Sequence, residues 1–421
     1  MKRRPELITP ATLDVPAYAT LALPNGVNIH TVPCDDCSVV RFSFVFRAGT
    51  AAQSVPFAAS ATANMLCEGT ERYTSQQVAE RLDYLGSYFD VNVDRDCVYI
   101  SFCSLSRFFA ETLDVAEQIL LHPTFPEEEL RTYAAKRRQR LEVDRMQVDV
   151  LAREELARCL FGEEHPYGKI SPESAYDTLR RDDIESHYRR FYTAERCFVV
   201  CSGRVGDEEL RAVSRIASAL PRGSAAETPF PQACTRHESR IVREGAVQSS
   251  IRMGRRLFTR MHPDFTGMQV VATALGGYFG SRLMQNLRER NGFTYGVVAA
   301  MVNFEREGYF AIATQVGADA TERAVEEILR ETELLGREPM PAAELDMVRN
   351  MMTGEMMRIL DGPFGIADVT IENILCGTDN DVVERNLRLI REITPERVCE
   401  LAARYLRPDD IVRVIAGPGD R

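Results

Sequence analysis

The sequence predicts an α+β protein of two homologous domains in tandem, each a mostly antiparallel (mixed) β-sheet with helices packed on one face. Three observations lead there. Period-two apolar runs alternate with long helical patterns, the strands connect by hairpins with helices gathered after them, and the second half repeats the first. A doubly wound parallel fold would interleave single strands with single helices instead.

Taken in order, residues 18–23 and 27–32 flank Pro24-Asn25-Gly26, a hairpin signal because Asn-Gly readily takes the positive φ of such turns. Residues 39–46 read as a third strand. Thr74-Ser75-Gln76-Gln77 has the form of a capping box. Val78, Leu82 and Leu85 follow at helical spacing, and Gly86 closes the helix. Two further strands fall at 88–93 and 98–105. Helical patterns occupy 107–121 and 126–160, the latter opened by Pro126 and three glutamates that suit a helix N-terminus.

Three matches mark the repeat: Gly86 with Gly292, Leu130 with Leu345, and Gly203 with Gly417, displaced by 206, 215 and 214 residues. Nearly constant displacement is what a duplicated domain with small loop changes would show. Pro221, Gly223, Ser224, Pro229 and Pro231 give the stretch between Leu220 and Glu238 the composition of a linker. The expected division is an N-terminal domain over 1–218, a connector over 219–238 that could act as a hinge, and a C-terminal domain over 239–421.

Composition limits the partners. With 51 Lys+Arg against 62 Asp+Glu the formal net charge is −11, opposite in sign to a protein that wraps nucleic acid. Met1-Lys2-Arg3-Arg4 begins like a signal peptide, but Glu6, Pro10, Asp14 and Pro16 interrupt the apolar run that export needs. No stretch approaches the ~18 apolar residues of a membrane span. The eleven cysteines are odd in number and scattered, which reads as reduced thiols in a cytoplasmic protein without a membrane or nucleic-acid partner.

Few residues suggest chemistry. The six histidines (His30, His122, His165, His187, His237, His262) include no pair three to five residues apart, so no helix face offers two imidazoles to zinc. Cys34-Asp35-Asp36-Cys37 lacks a second pair and follows a strand, so it reads as two thiols at a turn. Gly276-Gly277-Tyr278-Phe279-Gly280-Ser281-Arg282 lacks the G-K-[ST] ending of a phosphate loop and reads as the start of a helix over 281–290.

The segment from Ser281 through Arg288-Glu289-Arg290-Asn291-Gly292-Phe293-Thr294-Tyr295-Gly296-Val297 is more informative. It resembles the second-domain signature of the pitrilysin-type zinc peptidases, the inverzincins, which include mitochondrial processing peptidase, insulin-degrading enzyme and the core subunits of the respiratory cytochrome bc complex. The resemblance spans nearly the whole chain and includes Phe161-Gly162-Glu163-Glu164-His165-Pro166-Tyr167-Gly168. It implies that Arg288 and Tyr295 reach across a closed chamber to a peptide held at a zinc site on a facing domain.

The same resemblance places the family's H-x-x-E-H motif shortly before Glu68-Gly69-Thr70. The two histidine positions then fall on Ser60 and Asn64 and the glutamate position on Ala63. The third ligand position falls near 138–141, where the chain is basic, with Glu142 just beyond. A catalytic zinc needs three protein ligands and a carboxylate base. The expectation is no metal in this chain and no hydrolysis by it alone. Some bacterial members divide the work between two chains, so the resemblance implies a heterodimer in which a homologous H-x-x-E-H chain carries the zinc and this one supplies Arg288 and Tyr295 in trans. The alternatives are a structural or assembly protein of the same fold and a peptide-binding homodimer.

Overall fold

The computed structural model describes residues 15–224 and 229–419; the basic start of the chain, Met1 to Arg4, and part of the connector lie outside them. The first half contains β1 (Ala19–Ala22), β2 (Asn28–Pro33), β3 (Val39–Phe46), α1 (Ala58–Met65), α2 (Ser75–Leu85), β4 (Tyr88–Val93), β5 (Val98–Leu105), α3 (Phe109–Leu121), α4 (Glu127–Asp144), α5 (Val148–Phe161), α6 (Arg181–Phe191), β6 (Cys197–Gly203) and α7 (Asp207–Ala219). The second contains β7 (Glu238–Val242), β8 (Gln248–Leu257), α8 (Phe265–Ala272), β9 (Val297–Asn303), β10 (Gly308–Gly317), α9 (Thr321–Arg337), α10 (Ala342–Ile359), α11 (Pro363–Leu375), α12 (Asp381–Glu392), α13 (Pro395–Tyr405) and β11 (Val412–Gly417).

The strand orders are β1-β2-β6-β3-β5-β4 and β7-β11-β8-β10-β9. Without β1 the two are the same order. In each, the first and last strands of the half pair in parallel (β2 with β6, β7 with β11), and the other pairings are antiparallel. The repeated residues take repeated roles. Gly86 (φ 61°) and Gly292 (φ 65°) both end a helix in the left-handed region, where a side chain would strain the backbone. Pro126 and Pro341 each precede the first residue of a long helix. The capping box forms as read: Thr74 Oγ1 accepts from the Gln77 N–H and Gln77 Oε1 from the Thr74 N–H.

Each half's own helices cover one face of its sheet. The opposite face is covered by a helix from the other half. Ala152, Leu156, Cys159 and Leu160 of α5 pack with Val412, Val414 and Ala416 of β11. In return Ala367 and Ile371 of α11 pack on Val32 and Val45 and on Phe198 and Val200 of β6. Central β6 is therefore buried at every position, which explains its unbroken apolar run from Cys197 to Cys201.

This exchange corrects two expectations. The pattern over 126–160 is two helices, because α5 must leave the first sheet to reach the second. The break at 145–147 is fixed by Arg145, which pairs with Glu154 (3.0 Å) and Glu173 (2.9 Å) and donates to the Ser171 carbonyl (2.8 Å). The described part of the connector is also tied down: the N–H groups of Cys234 and Arg236 donate to the Phe161 and Cys159 carbonyls at the end of α5, and Phe230 packs edge-on against Tyr167. A hinge there would have to break these contacts.

Polar ties cross between the halves. The Tyr167 hydroxyl donates to Asp96 Oδ1 (2.5 Å), while Asp96 Oδ2 accepts the Glu305 N–H (2.8 Å). Arg41 donates to the Phe364 carbonyl (2.8 Å) and pairs with Asp368 (2.6 Å) at the start of α11.

Two predictions follow from this packing. Leu156→Ala and Ile371→Ala each empty a helix–sheet contact between halves and are expected to lower unfolding free energy by ~2–5 kcal/mol in urea titrations. Because each half completes the other's core, both variants are expected to unfold in one transition; two separated transitions would contradict the exchange. The second concerns acid. His187 Nε2 donates to the Ala48 carbonyl (3.0 Å), and burial pushes its pKa down to about 4; burial does the same to His30. An imidazole that stays neutral when folded leaves the unfolded chain to take up the proton first. Stability is therefore expected to fall as pH drops from about 6.5 towards 4. His187→Gln should make the fall in urea midpoint between pH 7 and pH 5 shallower; an unchanged fall would exclude this group as a source.

Candidate functional site

The positions matched to the metal motif lie on one turn of α1. Ala63 is fully buried in the first core, with no polar atom to offer. Ser60 Oγ donates to the Phe57 carbonyl (3.1 Å), and Asn64 Nδ2 donates to the Ser60 carbonyl (2.7 Å). Asn64 Oδ1 accepts from Arg137 Nη2 of α4 (3.2 Å), and the Arg137 guanidinium lies 5.4 Å from the Tyr133 ring centroid. Phe57, which precedes the helix at a positive φ of 66°, is stacked on Tyr176 with centroids 3.9 Å apart. Burial raises the Tyr133 hydroxyl pKa and takes that of Tyr176 to about 12, with Arg137 opposing both shifts.

These residues do not fit a zinc ion. A cationic guanidinium holds the side chain that stands at a histidine position, and the glutamate position is an alanine. Glu142 is engaged by Arg138 (3.1 Å), which also pairs with Asp177 (2.9 Å). Among the described residues no three His, Cys, Asp or Glu side chains are grouped to hold a metal. His165, near the end of α5, accepts the Tyr167 N–H on Nδ1 (3.2 Å) and stacks on Phe161, a packing role at the junction of the halves. Cys34 and Cys37 sit at the turn after β2, where the Cys37 N–H donates to the Cys34 carbonyl (3.2 Å).

Arg288 and Tyr295 sit on the connection into β9. The helix over 281–290 is present, but residues Met284–Arg290 are wound as a π-helix, a form that often marks functional sites. Gly276, just before it, is required by close approach: a Cβ there would lie 2.6 Å from the Ala299 nitrogen of β9. Asn286 braces the π-turns from inside. Its Nδ2 donates to Glu327 and Glu331 of α9 (both 2.6 Å), and its Oδ1 accepts from Asn291 (2.7 Å). The Phe293 N–H closes the end on the Leu287 carbonyl (2.8 Å).

Arg288 points to the surface, with its guanidinium 4.5 Å from the Phe279 ring centroid and its Nε 3.5 Å from Glu289. Tyr295 is 92% exposed. The loop beneath it is held by Thr294 Oγ1, which accepts the Gly296 N–H (3.1 Å) and lies 3.0 Å from Thr314 Oγ1. The phenol borders a recess of about 360 Å³ that Asp149, Gln248, Arg252, Ala313 and Gln315 also line. Neither Arg288 nor any residue of α1 lines that recess. The structure thus places the two sequence-predicted residues on one connection without bringing them into one pocket, and it leaves the α1 positions in the other half.

Sequence reading missed Asn286, Arg137 and the Asp149–Arg252 pair (2.5 Å). Arg137 could have been found, since it stands one residue before the expected third ligand position. Asn286 and Asp149 carry no local signal, because their partners lie on α9 and β8.

Comparison with known proteins identifies relatives of the chain. A family model described as the peptidase M16 inactive domain matches residues 178–352, and one described as insulinase (peptidase family M16) matches 58–166. The chain is 22% identical over 362 residues to an uncharacterized zinc protease, YmxG, of Bacillus subtilis, covering 85% of this chain and 87% of that one. It is 22% identical over 425 residues to a probable mitochondrial-processing peptidase subunit beta of Arabidopsis thaliana, covering 96% and 79%. A crystal structure of a peptidase M16 inactive domain from Pseudomonas fluorescens shares the fold, with a TM-score of 0.87, 22% identity, and coverage of 96% and 98%.

The α1 geometry generates a direct prediction. The purified chain, dialysed against micromolar zinc and desalted, is expected to retain far less than one zinc per chain by elemental analysis. One tightly held zinc per chain would overturn the reading of Ser60, Ala63 and Asn64 as a lost metal motif.

Proposed function

The chain belongs to the M16 peptidase family, and on that premise we propose that it is the non-metal subunit of a heterodimeric zinc endopeptidase. Its partner would be a homologous chain carrying H-x-x-E-H, and its substrates peptides. The observation that carries this reading is the contrast between the two matched sites. The α1 positions are filled by aliphatic packing and a guanidinium, while Tyr295 is held almost fully exposed on a loop braced from beneath. A scaffold has no use for a phenol so presented.

In this reading residues 1–218 form the half with the degenerate motif and 239–421 the half that faces the substrate. The Tyr295 hydroxyl donates a hydrogen bond to the scissile carbonyl oxygen as negative charge develops on it. Arg288, whose guanidinium lies beside Glu289 and the Phe279 face, holds a neighbouring peptide carbonyl or carboxylate in register. The metal-bound water chemistry belongs to the partner. Eleven free thiols suit a cytoplasmic setting.

The test is peptide cleavage by the chain co-expressed with an H-x-x-E-H partner. Tyr295→Phe keeps the ring and removes one donor, so kcat is expected to fall by ~10²–10³, about 2.7–4 kcal/mol. Arg288→Ala is expected to raise KM as well as lower kcat. Unchanged kinetics in the Tyr295→Phe complex would leave this chain a structural subunit.

A further inference from the structure

The strap between β2 and β3 carries two cysteines that take no part in the peptide chemistry. In the first sheet β6 lies between those two strands, so the link from Pro33 to Val39 crosses over the end of β6. Backbone hydrogen bonds pin it on both sides. The Cys34 N–H donates to the Gly203 carbonyl (2.8 Å), and the Arg204 N–H donates to the Val39 carbonyl (2.9 Å). The crossing is too close for a side chain, since a Cβ on Gly203 would collide with the Val39 oxygen. Between the pins the chain makes one tight turn. The Cys37 N–H closes it on the Cys34 carbonyl (3.2 Å), and Asp35 and Asp36 stand exposed at its tip.

That turn sets the two cysteines at disulfide range. A hydrogen-bonded four-residue turn brings its end Cα atoms within ~7 Å, and a disulfide bridges Cα atoms ~4.4–6.8 Å apart. Both thiols are partly exposed, so a small oxidant reaches them, whereas Cys97, Cys159, Cys197 and Cys201 are buried. A hydrogen bond with the Cys34 thiol is the first cause that raises the Cys37 pKa, and the Asp36 charge adds to it. A C-x-x-C pair that opens a helix has the opposite bias, because the helix N-terminus lowers the thiol pKa and makes the disulfide reactive. The pair here follows a strand. A thiol of raised pKa is a poor leaving group, so the disulfide it forms is slow to reopen.

We propose that Cys34 and Cys37 form a reversible redox site that takes oxidising equivalents from small disulfides such as oxidised glutathione. One cysteine thiolate attacks a sulfur of the glutathione disulfide and releases one glutathione. The second thiolate then attacks the protein sulfur of the mixed disulfide and releases the other. The protein gains one S–S bond, and its two electrons and two protons pass to the two glutathione thiols. Because backbone bonds hold the strap on both sides, the turn closes without rearranging the sheet. The site goes beyond the Tyr295 reading, lies in the other half and does not depend on it.

The experiment equilibrates the full chain in graded mixtures of reduced and oxidised glutathione, blocks free thiols with N-ethylmaleimide and maps disulfides by mass spectrometry. One intrachain bond is expected, within the peptide that holds residues 34–37, and dithiothreitol is expected to reverse it. Its formation should quicken as pH rises from ~7 to ~9, because the thiolate is the attacking form. Cys34→Ser and Cys37→Ser are each expected to stop at the glutathione mixed disulfide on the remaining cysteine. Cys234→Ser, at an exposed thiol elsewhere, is expected to close the bond normally. The contribution of the fold is read against a synthetic peptide of residues 31–40, which is expected to favour the disulfide several-fold less than the chain does. No bond at any glutathione ratio with native circular dichroism, a bond that maps to other cysteines, or equal closure by chain and peptide would overturn the proposal.

Discussion

Everything in this structure depends on one constraint: each sheet has two faces to cover, and each half supplies cover for only one of them. An open apolar face on β6 or β11 would cost far more than a protein's net stability allows, since each buried aliphatic side chain contributes roughly 1.5–3 kcal/mol. The chain resolves this by exchange, with α5 on the second sheet and α11 on the first. The break after Asp144, the pinned connector and the hydrogen bonds that meet at Asp96 all serve to deliver those helices. The exchange also sets where function can sit. α5 covers β11 and reaches Tyr309 of β10 through Phe161, while Tyr295 stays exposed on the connection into β9.

A metal site abandoned by its ligands has to be refilled, because a buried polar cavity without partners is destabilising. In α1 the refilling is specific. Alanine takes the core-facing position, Ser60 and Asn64 turn their polar atoms back onto the helix backbone, and Arg137 satisfies the remaining amide oxygen. The positive charge of Arg137 now stands beside the position that a family metalloenzyme would give to a dication. The connection into β9, in the other half, shows no such closure. Asn286 uses both amide protons and its carbonyl to hold a π-helical turn, at a cost in helix geometry, and the loop it supports carries a phenol into solvent.

Much of this was legible in the sequence, for physical reasons. The hairpin at Asn25-Gly26, the Thr74 box and the Gly86 and Gly292 caps are local signals, decided by a few neighbouring residues. The strand order of the second half could be read from the first because duplication preserves order even when identity is lost. The exchange was harder to see. α5 shows apolar residues at Ala152, Leu156 and Leu160, which says that a face is buried and leaves open against what. The break at Arg145 was hidden because its partners Glu173 and Ser171 are distant in sequence. That Ser60, Ala63 and Asn64 cannot supply two imidazoles and a carboxylate was readable from residue chemistry alone, whereas the hold of Arg137 on Asn64 joins α4 to α1 and has no sequence signature.

The account stands on the claim that this chain completes a catalytic site on another. The most direct measurement is a titration at fixed concentration of the zinc-bearing homologue, with peptide hydrolysis followed as this chain is added. The account predicts negligible turnover from either chain alone and a rise that breaks sharply at one chain per partner. Full turnover by the homologue alone, unchanged by any amount of this chain, would contradict it.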